Sequence, residues 1–250
     1  MVSNKLPELG LRDLVYFYFI LVSNAVDLIL PYSLSMMQKE LLLLYVGDII
    51  VTGSNSRQIG EVAQKLGHEF AMKGLGSLSY FLGIEVSYFP RGIHLNKSKY
   101  ANDLFRKVDM TNVKIVHTPL AQKHGLQEAA GKAVDPSAYK SIVERLQYLT
   151  LTRADITHVV NLASQFMQNP NSMHLQEVKR ILRYVKGTIN HRLRIISQSS
   201  FRLHGFSNAD WTRCTVTRRY TTGYGIYLGA NCVSWSSRKQ NIVVRSSAEA

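Results

Sequence analysis

Two periods of hydrophobicity run along the chain. Leu41-Leu42-Leu43-Leu44-Tyr45 and Ile49-Ile50-Val51 are short apolar runs separated by Val46-Gly47-Asp48. That pattern predicts a tight β-hairpin with a carboxylate at its tip. From Ser56 to Phe70 the period lengthens: Ile59, Val62, Ala63, Leu66 and Phe70 fall on one helical face, with Ser54 or Asn55 placed to cap it. Phe81 to Tyr88 and Gly92 to Asn96 flank Pro90-Arg91-Gly92 and predict a second hairpin. Residues 98 to 109 return to a helical stripe on Tyr100, Ala101, Leu104, Phe105 and Val108.

Residues 121 to 134, rich in Gln, Lys, Gly and Ala, read as a linker loop. Asp135-Pro136 then starts a helix, the aspartate capping it and the proline occupying the first turn. Three apolar stripes follow: Ala138, Ile142, Val143, Leu146 and Leu149; Ile156, Val159, Val160, Ala163, Phe166 and Met167, ending before Pro170; and Leu175, Val178, Ile181, Leu182 and Val185, stopped by Gly187. These predict a small helical bundle. From Phe201 the period becomes two, giving strands over Phe201 to Trp211, Gly223 to Gly229 and Cys232 to Ser236. Helices and hairpins in blocks, without βαβ alternation, make the expected class α+β.

With 250 residues, 46% hydrophobic and 19% charged, the chain is of globular composition and has room for one large or two modest domains. Its net charge of +13 and pI of about 9.8 are unevenly distributed. Val178 to Ala250 holds thirteen of the Lys and Arg residues but only Asp210 and Glu249 among the acids. A basic third of this kind favours a polyanion, because each neutralised phosphate releases counterions; the alternative is a solvated basic face. Leu14 to Leu30 is strongly apolar, yet it is interrupted by Asn24 and Asp27 and closed by Pro31. It falls short of a clear membrane span. It also lacks the basic flank and cleavage site of a good signal peptide, so the expectation is an intracellular, non-secreted chain. Two cysteines, Cys214 and Cys232, make neither a zinc knuckle nor a disulfide framework, and the eight histidines lack i, i+4 metal spacing.

Tyr45-Val46-Gly47-Asp48-Ile49-Ile50-Val51-Thr52-Gly53-Ser54 resembles the Tyr-Val-Asp-Asp box of copia-type retrotransposon Pol polyproteins, with Gly47 in place of the first aspartate. Met72-Lys73-Gly74-Leu75-Gly76 through Tyr80-Phe81-Leu82-Gly83-Ile84-Glu85-Val86 is similar to that family's M-K-D-L-G-P-L-x-Y-F-L-G-I-E-V segment, which grips the primer end. Residues 98 to 109 resemble the family's Q-x-K-Y-A-x-D-L-L block, and Thr118-Pro119-Leu120 resembles T-P-L. Leu146 to Ile156 is similar to L-Q-Y-L-T-x-T-R-P-D-I, with Ala154 for the proline, and Lys179 to Thr188 to K-R-I-L-R-Y-L-K-G-T. Ser207-Asn208-Ala209-Asp210-Trp211, Arg218-Arg219-Tyr220-Thr221-Thr222-Gly223, Ser234 to Gln240 and Arg245 to Ala250 resemble the motifs of the family's ribonuclease H domain.

The resemblance implies four segments: an unmatched apolar leader over 1–40, a reverse-transcriptase palm edge and thumb over 41–134, a helical connection over 135–190 and a truncated ribonuclease H-like sheet over 200–250. It implies a catalytic role for Asp48 and Asp210. It also implies nucleic-acid contacts, with RNA, DNA or an RNA–DNA hybrid, for Lys73, Lys179, Arg180, Arg183, Lys186, Arg218 and Arg219. The family's cofactor is magnesium, held by several carboxylates. Here the first nuclease aspartate is Asn208, the nuclease's next glutamate falls just past Ala250, and Gly47 supplies no ligand, so Asp48 alone is expected to bind the metal weakly if at all. The expectation is therefore a degenerate, catalytically inactive reverse transcriptase and ribonuclease H. The alternatives are a nucleic-acid-binding module without chemistry and a reverse transcriptase completed by other chains.

Overall fold

The computed structural model describes residues 32–37, 40–45, 48–53, 56–70, 73–121, 131–197, 199–200, 202–210 and 221–240. They form a mixed α+β structure that divides into two compact units. No helix among them is long and apolar enough to cross a membrane.

The first unit comprises Met1–Leu95, Arg194–Leu203 and Tyr227–Ser234. It begins with an antiparallel sheet in the order β1 (Tyr32–Met37), β2 (Glu40–Tyr45), β3 (Asp48–Gly53). Cross-strand pairs run from Glu40 opposite Gly53 to Tyr45 opposite Asp48, so β2 and β3 form the hairpin expected from the apolar runs. β1 occupies part of the stretch that the sequence pattern set apart as a leader; the apolar residues 14–30 lie outside the described residues. Helix α1 (Ser56–Glu69) follows β3 and lies beside it; its expected caps, Ser54 and Asn55, are outside the described residues.

The second hairpin has one more turn than its sequence suggests. Phe81 to Tyr88 is not one strand: β4 (Tyr80–Phe81) pairs antiparallel with β5 (Ile84–Phe89) across Leu82 and Gly83. Both turn residues have positive φ, 49° and 69°, as a two-residue hairpin turn requires, and only the glycine adopts that conformation freely. β6 (Gly92–Asn96) follows as expected, and β7 (Leu193–Ile196) completes a sheet of order β4-β5-β6-β7. β7 is four residues long, too short for a period of two to show, which is why periodicity misses it. Gly92 is needed for close approach: a Cβ there would strike the Ile195 carbonyl oxygen and the Phe89 ring. Asn231, fully buried, closes the other side of β7. Its Oδ1 accepts from the Ile196 N–H (2.7 Å) and its Nδ2 donates to the Ile196 carbonyl (3.0 Å), so the side-chain amide stands in for a strand neighbour.

The second unit comprises Asn96–Leu193, His204–Ile226 and Trp235–Ala250. Its core is the bundle that the stripes predict: α2 (Ser98–Lys107), α3 (Pro136–Leu149), α4 (Thr157–Ser164) and α5 (Ser172–Gly187). They bury Leu104, Phe105, Tyr139, Leu146, Ile156, Ile181 and Leu182, among others, in one cluster. Asp135 caps α3 as expected, its carboxylate accepting from the N–H groups of Ser137 and Ala138, each at 3.1 Å. α5 starts in a reciprocal box: Asn171 Oδ1 accepts from His174 N–H (2.9 Å), and His174 Nδ1 accepts from Asn171 N–H (3.1 Å). The middle helix is shorter than its stripe. Ala154–Ile156 forms a 3-10 turn, and α4 ends at Ser164, whose hydroxyl turns back onto the Asn161 carbonyl at 2.7 Å. The end of the linker is pinned rather than loose: Ala133 bridges Asn171, and Ser172 N–H donates to the Lys132 carbonyl.

The strands expected from Phe201 onward are β8 (Leu203–Asp210), β9 (Thr221–Leu228) and β10 (Asn231–Lys239), in the order β10-β9-β8. β8 is an edge strand, and its Leu203 and Phe206 are 74% and 67% exposed.

Candidate functional site

The first candidate centre is the tip of the β2–β3 hairpin. Asp48 is the first residue of β3 and lies opposite Tyr45, which in turn lies opposite Tyr32 of β1. The sheet row at the hairpin tip is thus Tyr32, Tyr45, Asp48, with a single carboxylate. The other acid in these three strands, Glu40, is opposite Gly53 at the far end, about 17 Å away at the usual rise per strand residue. Gly47 lies outside the described residues, and its identity alone removes a second side-chain ligand. The second candidate centre is β8. Asn208 and Asp210 are two residues apart, hence on one face of the strand, and Asn208 is exposed. Neither β9 nor β10 contains a single Asp or Glu.

Reverse transcriptases use divalent metal ions, and paired metals a few ångströms apart need several anionic oxygens around them. The described residues do not fit such a pair, since among them each of the two candidate sheets brings one carboxylate to its candidate centre. Among the described residues no three His, Cys, Asp or Glu side chains gather as a ligand group.

The basic candidates divide differently. Lys179, Arg180, Arg183 and Lys186 all lie on α5. Only Lys179 is well exposed. Arg180 Nη2 donates to Thr118 Oγ1 at 2.8 Å, and Arg183 Nε donates to the Lys114 carbonyl at 2.6 Å. Lys186 Nζ sits 5.3 Å from the centre of the Phe105 ring on α2. Three of the four cations therefore hold the segment after α2, or α2 itself, against α5. The pattern of side-by-side cations is the same for a phosphate-binding face and for an internal clamp, and only the partners distinguish them. Lys73 is exposed in the first unit, between α1 and β4. Arg218 and Arg219 lie outside the described residues.

Sequence reasoning passed over the most connected charged group. Arg153 is 6% exposed. Its Nε and Nη2 grip Asp155 Oδ1 and Oδ2 at 2.8 and 2.7 Å, its Nη1 donates to the Thr188 carbonyl at 3.0 Å, and Nη2 also donates to Thr188 Oγ1 at 2.7 Å. Tyr184 adds its hydroxyl to Asp155 Oδ2 at 2.9 Å. Burial alone would raise the Asp155 pKa, but the Arg153 guanidinium and the Tyr184 hydroxyl outweigh it and hold the carboxyl below its ordinary value. Thr152-Arg153-Ala154-Asp155 and Lys186-Gly187-Thr188 are thereby two halves of one joint, between the 3-10 turn and the end of α5.

Residues 32–122 match the family model described as reverse transcriptase (RNA-dependent DNA polymerase). An uncharacterized mitochondrial protein of Arabidopsis thaliana is 44% identical over 208 residues, which cover 83% of this chain and 87% of that protein. The retrovirus-related Pol polyprotein from transposon RE1 of the same plant is 43% identical over 210 residues, covering 84% of this chain and 14% of the polyprotein. The corresponding polyprotein from transposon TNT 1-94 of Nicotiana tabacum is 33% identical over 222 residues, covering 84% of this chain and 16% of its own length. The chain thus spans about one seventh of the polyproteins it matches. No solved structure matches it. The chain belongs to the reverse-transcriptase family of retrotransposon Pol polyproteins.

Proposed function

We propose that the chain is a catalytically inert derivative of a copia-type reverse transcriptase and ribonuclease H. The observation that carries this reading is the carboxylate count: Asp48 stands without an acidic neighbour across β1, β2 and β3, and Asp210 is the one acid of β8, β9 and β10. A single carboxylate gives a divalent ion too little negative charge to displace its water, and two ions still less. Magnesium is accordingly not retained at either place. Primer extension on an RNA template with magnesium, using the full chain, tests this. The expected result is no incorporation above background; incorporation that disappears in Asp48→Ala would overturn the reading.

A second reading is favoured by the charge distribution and by the exposure of Lys179: the chain binds RNA–DNA hybrid without acting on it. Affinity then falls steeply with salt as phosphate contacts are lost. Lys179→Glu is expected to weaken hybrid binding and to flatten that salt dependence while leaving the fold unchanged, because Lys179 is an exposed residue. Binding that is absent, or indifferent to salt, would remove this reading.

A further inference from the structure

The two outer strands of the sheet β10-β9-β8 differ in how they are covered. β10 is held along its length: Asn231 bonds both peptide groups of Ile196, Trp235 Nε1 donates to the Thr150 carbonyl at 3.0 Å, and Ser237 Oγ lies 3.1 Å from His158 Nδ1. Among the described residues β8 has a strand neighbour on one side only. Every residue from Arg202 to Asn208 is exposed, so both faces of the strand meet solvent. Leu203 and Phe206 are the large apolar groups there, and a Cβ built on Gly205 would meet nothing within 4 Å. Sheet edges are commonly kept from pairing by short length, a lysine or a proline. β8 is eight residues long and contains neither Lys nor Pro.

One hydrogen bond fixes which peptide groups face the open side. Gly229 N–H, just after β9, donates to the Arg202 carbonyl at 2.7 Å, so the peptide groups of Arg202 are directed toward β9. Alternate residues of a strand turn their N–H and C=O to opposite sides. Those of Leu203, Gly205, Ser207 and Ala209 are therefore directed to the open edge. An antiparallel partner must match this phase. A second β8, related by a twofold axis through Phe206, does so over the whole strand. Arg202 then falls opposite Asp210 of the second copy, Leu203 opposite Ala209, His204 opposite Asn208, Gly205 opposite Ser207, and Phe206 opposite itself. The strand thus reads as its own complement: cation against carboxylate at both ends, apolar against apolar, ring against ring. Moving the axis to Gly205 or Ser207 keeps the phase but separates Arg202 from Asp210.

We propose that β8 is the docking edge for a second copy of this chain, which adds its own β8 antiparallel in that register. Two three-stranded sheets then become one continuous sheet. The backbone bonds supply the attraction, and the opposite-charge and ring pairs across the strands set the register. The contact is isologous, so it closes at two copies and does not propagate. A strand of an unrelated protein could meet the same peptide groups, but would give no reason for the charges of β8 to mirror each other. One strand pair buries little surface, so the affinity is modest, on the order of micromolar. The proposal is independent of whether the chain binds or acts on nucleic acid.

Sedimentation equilibrium of the full chain, freed of nucleic acid by nuclease treatment and studied up to about 100 μM, is expected to show a monomer–dimer equilibrium. Arg202→Glu and Asp210→Arg each bring like charges opposite one another at both ends of the strand pair. Each is expected to weaken association by about tenfold. The double variant restores the pairing with reversed polarity and is expected to recover the original affinity. Gly205→Pro removes an N–H from the open edge at a position with room for the ring, and is expected to leave a monomer with an unchanged far-UV circular dichroism spectrum. A monomer at every concentration, an assembly larger than a dimer, or a dimer indifferent to both charge reversals would overturn the proposal. Should Gly205→Pro fail to fold, the charge cycle decides: recovery in the double variant supports the register, and its absence refutes it.

Discussion

Replacing Arg153 by Ala removes the joint between the 3-10 turn and the end of α5. Four hydrogen bonds are lost, two to Asp155 and two to Thr188, and Asp155 keeps only the Tyr184 hydroxyl among these partners. Breaking a fully buried pair by deleting one member costs roughly 3–5 kcal/mol, because the remaining charge is left without a partner. The Asp155 side chain is 35% exposed, however, so water recovers part of that charge. The lower end applies, about 3 kcal/mol, which at a urea m value on the order of 2 kcal/mol/M lowers the midpoint by about 1.5 M. Urea unfolding of the full chain followed by far-UV circular dichroism measures the shift. A cycle with Asp155→Ala and the double variant isolates the pair, with an expected coupling of about 1–3 kcal/mol. The folded pKa of Asp155 is depressed, so its contribution is fully present above the unfolded value, about 3.9, and is lost as pH falls through the lower folded value. The coupling should therefore persist at pH 5. A destabilisation below about 1 kcal/mol, or a coupling near zero, would refute the assignment of Arg153 as the hub of this joint.

Two further predictions concern the first unit. Gly92→Ala places a methyl group against the Ile195 carbonyl oxygen and 2.6 Å from Phe89 Cζ; backbone cannot yield there cheaply, so the β6–β7 pairing should be lost at a cost of about 3 kcal/mol or more, visible as fast amide exchange at Ser197, whose N–H donates to the Arg91 carbonyl. Asn231→Ala leaves the N–H and carbonyl of Ile196 without their side-chain partner, expected to cost about 2–3 kcal/mol in thermal or urea unfolding, whereas an isosteric Asn231→Asp should restore one bond at most.

Sequence alone determined the local elements and the residue types at the two candidate centres. Leu41 to Val51 specified the β2–β3 hairpin, the apolar stripes specified the four helices of the bundle, and Asp135-Pro136 specified the start of α3, because each depends on residues within a few positions of one another. The presence of Gly47 and Asn208 where the resembled motifs have aspartate is likewise a matter of residue identity. Tertiary structure decided what no local window contains. β7 exists because Gly92 admits it and Asn231 pairs with it, residues distant from it in sequence. Arg180 and Arg183, which read as a phosphate-binding flank, face Thr118 and Lys114 because a segment more than 60 residues earlier returns to α5. Arg153 looks like an ordinary surface cation in the sequence. Only folding shows that it is buried with a counter-charge, since burial and partnership are properties of the packed chain.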